Sequence, residues 1–122
     1  MNRIKNCREK YEKLFGGSPV QDEGTDAEFM RILQRFIFGE VSFTGSLDDS
    51  MRELVTVTVL TVEQALPQLK AHIKTGINCG ISPVRLRETV YQCAPFIGFP
   101  KTLNAIAAMD EAFTANGIAL PL

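Results

Sequence analysis

The sequence predicts an all-α protein, a helical bundle of about six helices in one domain covering residues 1–122, and three observations carry that expectation. Apolar residues recur at helical spacing in most segments. Helix starts are marked, most plainly by Ser82-Pro83, a serine N-cap followed by proline at the first helical position. Glycines and prolines stand where the periodic stretches stop.

In chain order, Ile4, Tyr11, Leu14 and Phe15 fall near helical spacing and Gly16-Gly17-Ser18-Pro19 supplies a stop, so residues 3–15 read as an amphipathic helix. Residues 18–24 read as a polar connector. Thr25-Asp-Ala-Glu28 has capping-box spacing, and Phe29, Ile32, Leu33, Phe36 and Ile37 then trace the apolar, partly aromatic face of a second helix. Gly39 and Gly45 bracket a loop whose Val41 and Phe43 need cover.

Asp48 or Asp49 can cap a helix starting near Ser50, yet Val55-Thr-Val-Thr-Val alternates at period two and is β-branched, the local signature of a strand. Helix is favoured because Arg52 and Glu53 suit a first turn and a lone strand among helices leaves its backbone groups unpaired. Pro67 fits the first turn of the next helix, where Leu69, His72, Ile73, Gly76 and Ile77 form one stripe before Gly80, turning His72 inward. Ser82-Pro83 starts a helix carried by Val84, Val90, Tyr91 and Ala94 to Pro95 or Gly98. Pro100 opens the last one, through Leu103, Ile106, Ala107, Met109 and Phe113 to Gly117. The tail Ile118–Leu122 is apolar enough to expect docking.

A chain of 122 residues buries roughly two thirds of its unfolded surface and folds without disulfides or metal. Thirteen basic against 14 acidic residues, spread along the chain, leave no basic stripe for a phosphate backbone, so nucleic acid is not an expected partner. Three cysteines without C-x-x-C spacing encode neither a disulfide framework nor a zinc site, and reduced thiols fit the cytoplasm. The first fifteen residues alternate charge with apolar side chains and are not expected to act as a secretory signal. The longest nearly apolar run, Leu54–Val62, falls far short of the ~20 residues of a membrane span. A hydrophobic content of 45% without tryptophan suggests apolar surface shared between subunits.

Two residues stand out for chemistry. His72 is the only histidine, hence the only side chain whose unperturbed titration lies close to neutrality, and Glu53 lies on the other side of the Leu54–Val62 run. If their helices pack together, a carboxylate and an imidazole meet in an apolar cleft, the minimum equipment for proton transfer. The plainer alternatives are a hydrogen-bonded core or surface histidine, and a first-turn glutamate favoured by the helix dipole by roughly 0.3–1 kcal/mol. Arg52 is a candidate anchor for a substrate carboxylate or equally an ion-pair partner, but adjacent helical positions point about 100° apart. Arg85 and Arg87 read as first-turn solvent charges. Cys79 and Cys93 read as small core hydrophobes, with a relocated thiol pair as the alternative.

Arg52-Glu53 opening an apolar helix, His72 followed by Gly76 and Gly80-Ile-Ser-Pro83, and Pro95-Phe-Ile-Gly-Phe-Pro100 together resemble the carboxymuconolactone decarboxylase family, which shares its fold with the alkylhydroperoxidase-like proteins. The resemblance runs from about Leu47 to Phe113. It implies helix for the period-two stretch, and a protomer that assembles into symmetric homo-oligomers, trimers or hexamers. The redox branch of that superfamily carries E-x11-C-x2-C-x3-H. Laid on this chain, the pattern keeps Glu53 and His72 in register but puts Ala65 and Gln68 where the thiols belong, so the chain resembles the branch without them. That branch loses CO2 from a carboxylated lactone in the breakdown of protocatechuate, an aromatic compound. The resemblance therefore implies a small-molecule substrate, no metal, no cofactor, and a carboxy-lyase in which His72 donates a proton while Glu53 fixes its tautomer or itself acts on substrate. Phe96 replaces the tyrosine of the family's Y-x-G-x-P pattern, so any phenolic hydrogen bond is absent. A non-catalytic oligomeric binding protein of the same fold is the main alternative, and an antioxidant peroxidase a further one that Ala65 and Gln68 disfavour.

Overall fold

The computed structural model describes residues 2–19 and 24–122, so residues 20–23 of the expected connector lie outside the described residues. Among the described residues the secondary structure is entirely helical: α1 (Arg3–Phe15), α2 (Ala27–Gly39), a 3-10 turn (Val41–Phe43), α3 (Asp49–Glu63), α4 (Leu66–Asn78), α5 (Pro83–Tyr91), α6 (Ala94–Ile97) and α7 (Phe99–Ala115). The chain clusters into two compact units, Met1–Asp49 and Ser50–Leu122. None of these helices is long and apolar enough to cross a membrane.

In the first unit α1 packs along α2. Asn2 caps α1 by accepting from the Lys5 amide at 3.0 Å, and Gly16 closes it in the left-handed conformation. The close approach depends on Gly39, where a Cβ would come within 2.6 Å of the Arg3 carbonyl oxygen. Phe38 meets Tyr11 and Phe15 edge-on, with ring centroids 5.6 and 5.4 Å away. Asp49 accepts from Lys10 at 2.6 Å and also pairs with Lys13. Lys10 additionally lies over the Phe43 ring, 4.8 Å from its centroid, yet Phe43 and Val41 both stay exposed, so the cover expected for this loop is not provided.

One expectation for this unit is corrected. The capping box does not form: α2 starts two residues after Thr25, and its N-cap is Asp26, left-handed and without a side-chain cap bond. The face of Phe29, Ile32 and Phe36 points outward, each residue more than half exposed, while Gln34, Phe38 and Gly39 are buried. Gly39 decides this, because the side of α2 that bears it is the side that α1 can approach closely.

The second unit is built on a core in which Val57, Leu69, Ile73, Leu86, Val90, Met109 and Phe113 are fully buried, each worth roughly 1.5–3 kcal/mol of transfer free energy. α4 packs along α7. The period-two stretch is helical: Glu53, Val57 and Thr61, four residues apart, form the buried side of α3. Thr56 and Thr58 donate their hydroxyls to the carbonyls of Arg52 at 2.9 Å and Leu54 at 2.8 Å, so both hydroxyls are satisfied within the helix. Gly76 makes room for Leu86, whose Cδ2 a Cβ there would meet at 2.9 Å.

Ser82 caps α5 as expected, accepting from the Arg85 amide at 3.2 Å. α5 is held by Leu86 and Val90, whereas Val84 and Tyr91 face outward. Pro95 lies in the first turn of the one-turn helix α6, and Pro100 in that of α7. The buried side of α7 is Thr102, Ala105, Ala108, Met109, Ala112 and Phe113; Leu103 and Ala107 are exposed. Small alanines let α4 and α7 come close, which sets that register. Of the apolar tail only Ile118 docks, its amide donating to the Phe113 carbonyl at 2.9 Å, while residues 119–122 are exposed.

Candidate active site

Glu53 stands one turn into α3, past the first turn where the helix dipole acts, and its side chain is 7% exposed. A dipole contribution of roughly 0.3–1 kcal/mol is too small to bury a carboxylate, whose desolvation amounts to several kcal/mol unless a partner offsets it. The partner is His72 of α4, with Nδ1 2.9 Å from the Glu53 Oε2. An Nδ1–H donating to that carboxylate fixes one tautomer and turns Nε2 toward the other side of the ring. His72 retains 19% exposure against 7% for Glu53, so the imidazole is the more accessible member of the pair.

The remaining sequence candidates are placed separately. Arg52 is half-buried one position before Glu53, about 100° round the helix, so the two do not share a face. Ala65 is the N-cap of α4 and Gln68 is exposed in its first turns. Cys79 caps the C-terminus of α4, and its carbonyl accepts from the Ser50 hydroxyl at 2.9 Å. Cys93 is buried before α6, where burial pushes its thiol up from the ordinary cysteine range. Arg87 is not the solvent charge its position suggests. It is 17% exposed, pairs with Asp110, and lies 6.0 Å from the Phe113 ring centroid.

Two features escaped the sequence reading. One is a groove of about 560 Å3 whose lining includes Leu54, Thr58 and Val62 from α3, Arg85 from α5, Cys93, and Phe96 from α6. It opens one helix position round from Glu53, and neither Glu53 nor His72 lines it. Its signal was the i, i+4, i+8 spacing of Leu54, Thr58 and Val62, which lay hidden in the period-two run. The other is Gln64, at the bend between α3 and α4, whose backbone is left-handed at φ 59°. Sequence offers no signal for that, because glutamine is an unusual choice at positive φ.

Residues 27–111, which take in both Glu53 and His72, match the model of the carboxymuconolactone decarboxylase family. The chain belongs to that family. As a carboxymuconolactone decarboxylase family member it is 30% identical over 92 residues to a 4-carboxymuconolactone decarboxylase of Acinetobacter baylyi, a match covering 75% of this chain and 69% of that protein. It is 25% identical over 80 residues to a nitrosuccinic acid decarboxylase of Metarhizium robertsii, covering 66% of this chain and 56% of the relative. An uncharacterised 15.0 kDa protein of Paracoccus denitrificans is 28% identical over 78 residues, covering 62% of this chain and 58% of the relative.

Proposed function

We propose that the protein is a decarboxylase acting on a small carboxylated or lactone-like metabolite, with Glu53 and His72 as its proton-handling pair. The observation that carries this reading is the 2.9 Å contact between a buried carboxylate and the chain's single imidazole, within a family whose relatives include two decarboxylases. Both named substrates, a carboxymuconolactone and nitrosuccinic acid, hold a carboxylate close to a group that can accept an electron pair.

In the proposed reaction the C–C bond to the carboxylate breaks and CO2 departs. The electron pair stays on the carbon skeleton, delocalised into the lactone carbonyl or an equivalent acceptor. The protonated His72 then delivers a proton to the carbon, from Nε2, since Nδ1 is turned to Glu53, and recovers one from water. Glu53 orients the ring and stabilises its cationic form at the moment it is needed. Exposure supports this division of roles, with the more accessible imidazole meeting substrate and the more deeply buried carboxylate behind it. Arg52 is the proposed anchor for a substrate carboxylate; its offset from Glu53 means that it would grip the molecule away from the reacting bond.

The test is CO2 release from 4-carboxymuconolactone, with nitrosuccinate as the second probe. Release from either, abolished in His72→Ala, is the expected result; no release from either by folded protein overturns the reading. A second reading, a non-catalytic binding protein, draws on the groove beside Leu54, which holds volume enough for a small ligand without contact to the pair. Binding of these acids without turnover would favour it.

A further inference from the structure

We propose that Gln64 is a positioning residue for the Glu53–His72 pair, holding the bend between α3 and α4 against α7. The purpose of that positioning rests on the decarboxylase reading above, whereas its geometry does not.

α3 ends at Glu63 and α4 starts at Leu66, so the placement of Glu53 relative to His72 is set at two connecting residues. Gln64 is the only non-glycine residue at positive φ among the described residues of the second unit. Residues with a Cβ avoid this conformation, and it persists only where surrounding contacts over-determine it. The contacts come from its own side chain. Nε2 donates to the Thr61 carbonyl at 2.8 Å and to the Lys101 carbonyl at 2.9 Å, and Oε1 accepts from the Asn104 Nδ2 at 3.1 Å. Both amide hydrogens and the oxygen are therefore engaged. One bond fastens the last turn of α3, and the other two fasten the bend to the first two turns of α7.

This clamp adds to the hold that the buried side of α3, Glu53, Val57 and Thr61, already provides. α4 packs closely along α7, and Val57 of α3 is fully buried in the same core. The Glu53–His72 bond itself supplies a further tie. Glu53 is eleven residues from Gln64, about 16 Å along the helix, so a tilt of only about 4° at the bend displaces its carboxylate by roughly 1 Å. A shift of that size is enough to lose a 2.9 Å hydrogen bond and the alignment that proton transfer needs.

The chain's single histidine makes the test clean, since protein with 15N-labelled histidine gives one pair of ring nitrogen signals, read at fixed pH without any substrate. Gln64→Gly removes the amide and at the same time relieves the left-handed backbone, so the fold is expected to survive. Gln64→Asn, which tolerates that backbone but is one methylene too short, is the second variant. In both, the ring nitrogen shifts are expected to move most of the way from wild-type values to those of Glu53→Gln. Lys70→Ala, which breaks the α4–α7 ion pair to Glu111, is expected to leave them unchanged. Wild-type shifts in either folded Gln64 variant, equal movement in Lys70→Ala, or loss of fold in both Gln64 variants would each overturn the proposal. Absence of CO2 release by the wild type would instead overturn the decarboxylase reading and leave these shifts fully interpretable.

Discussion

His72 Nδ1 lies 2.9 Å from the Glu53 Oε2, and the ring keeps 19% exposure where the carboxylate keeps 7%. Glu53→Gln and His72→Ala are each expected to lower turnover by a factor of about 10²–10⁴, the usual worth of a positioned acid–base group. Far-ultraviolet circular dichroism should remain that of the wild type. The double variant should lose less than the product of the single losses, because the two side chains form one unit. Strictly multiplicative losses would show that they act independently.

Burial of Cys93 pushes its thiol up and keeps the thiolate scarce near neutral pH. Ala65 and Gln68 supply no sulfur. Purified protein is therefore expected to consume no hydroperoxide with a dithiol reductant, and Cys93 should react with iodoacetamide only on unfolding. Peroxide turnover that disappears on replacing Cys79 or Cys93 would contradict this.

Phe29, Ile32 and Phe36 in the first unit, and Met51, Val55 and Val59 in the second, are exposed apolar rows on α2 and α3. Monomers rarely leave such rows uncovered, so a homo-oligomer, a trimer or hexamer, is expected by sedimentation velocity at micromolar concentration. A monodisperse monomer would refute that expectation.

Acid should destabilise the protein partly through Asp49. Burial raises its carboxyl, but the hydrogen bonds and charges of Lys10 and Lys13 outweigh burial and hold it below its ordinary value of 3.8. A carboxyl depressed on folding contributes stability that is complete above the unfolded value and is lost as pH falls through the folded one. The urea midpoint is thus expected to drop on going below about pH 4, and to drop less in Asp49→Asn. Equal acid sensitivity in both proteins would exclude Asp49 as a contributor.

The helical class and most helix ends were readable, because Ser82-Pro83, Pro67, Pro100 and the glycines at 16, 80 and 117 act through local backbone chemistry that any tertiary context preserves. The pairing of Glu53 with His72 was readable as a register, though not as a distance. Which face each helix buries was less so. α2 carries apolar residues on two sides, and the choice between them depends on a close approach at Gly39, where a Cβ would stand 2.6 Å from the Arg3 carbonyl oxygen, that no periodicity encodes. On α7 the apolar Leu103 is exposed while Ala105, Ala108 and Ala112 are buried, a choice that periodicity alone does not make. Arg87 looked solvated because Asp110, its partner, is far away in sequence. Gln64 was invisible because its role follows from a bend and from carbonyls supplied by another helix.

The run Leu54–Val62 holds a helix out of residues that favour strands, uncharged and without proline. In the native protein the burial of Val57 and Thr61 keeps it coiled. Once unfolded, the same nine residues meet every requirement for intermolecular cross-β pairing. Refolding yield should accordingly fall as chain concentration rises, and a lysine in place of the exposed Val59 would act as a gatekeeper against amyloid-like aggregation.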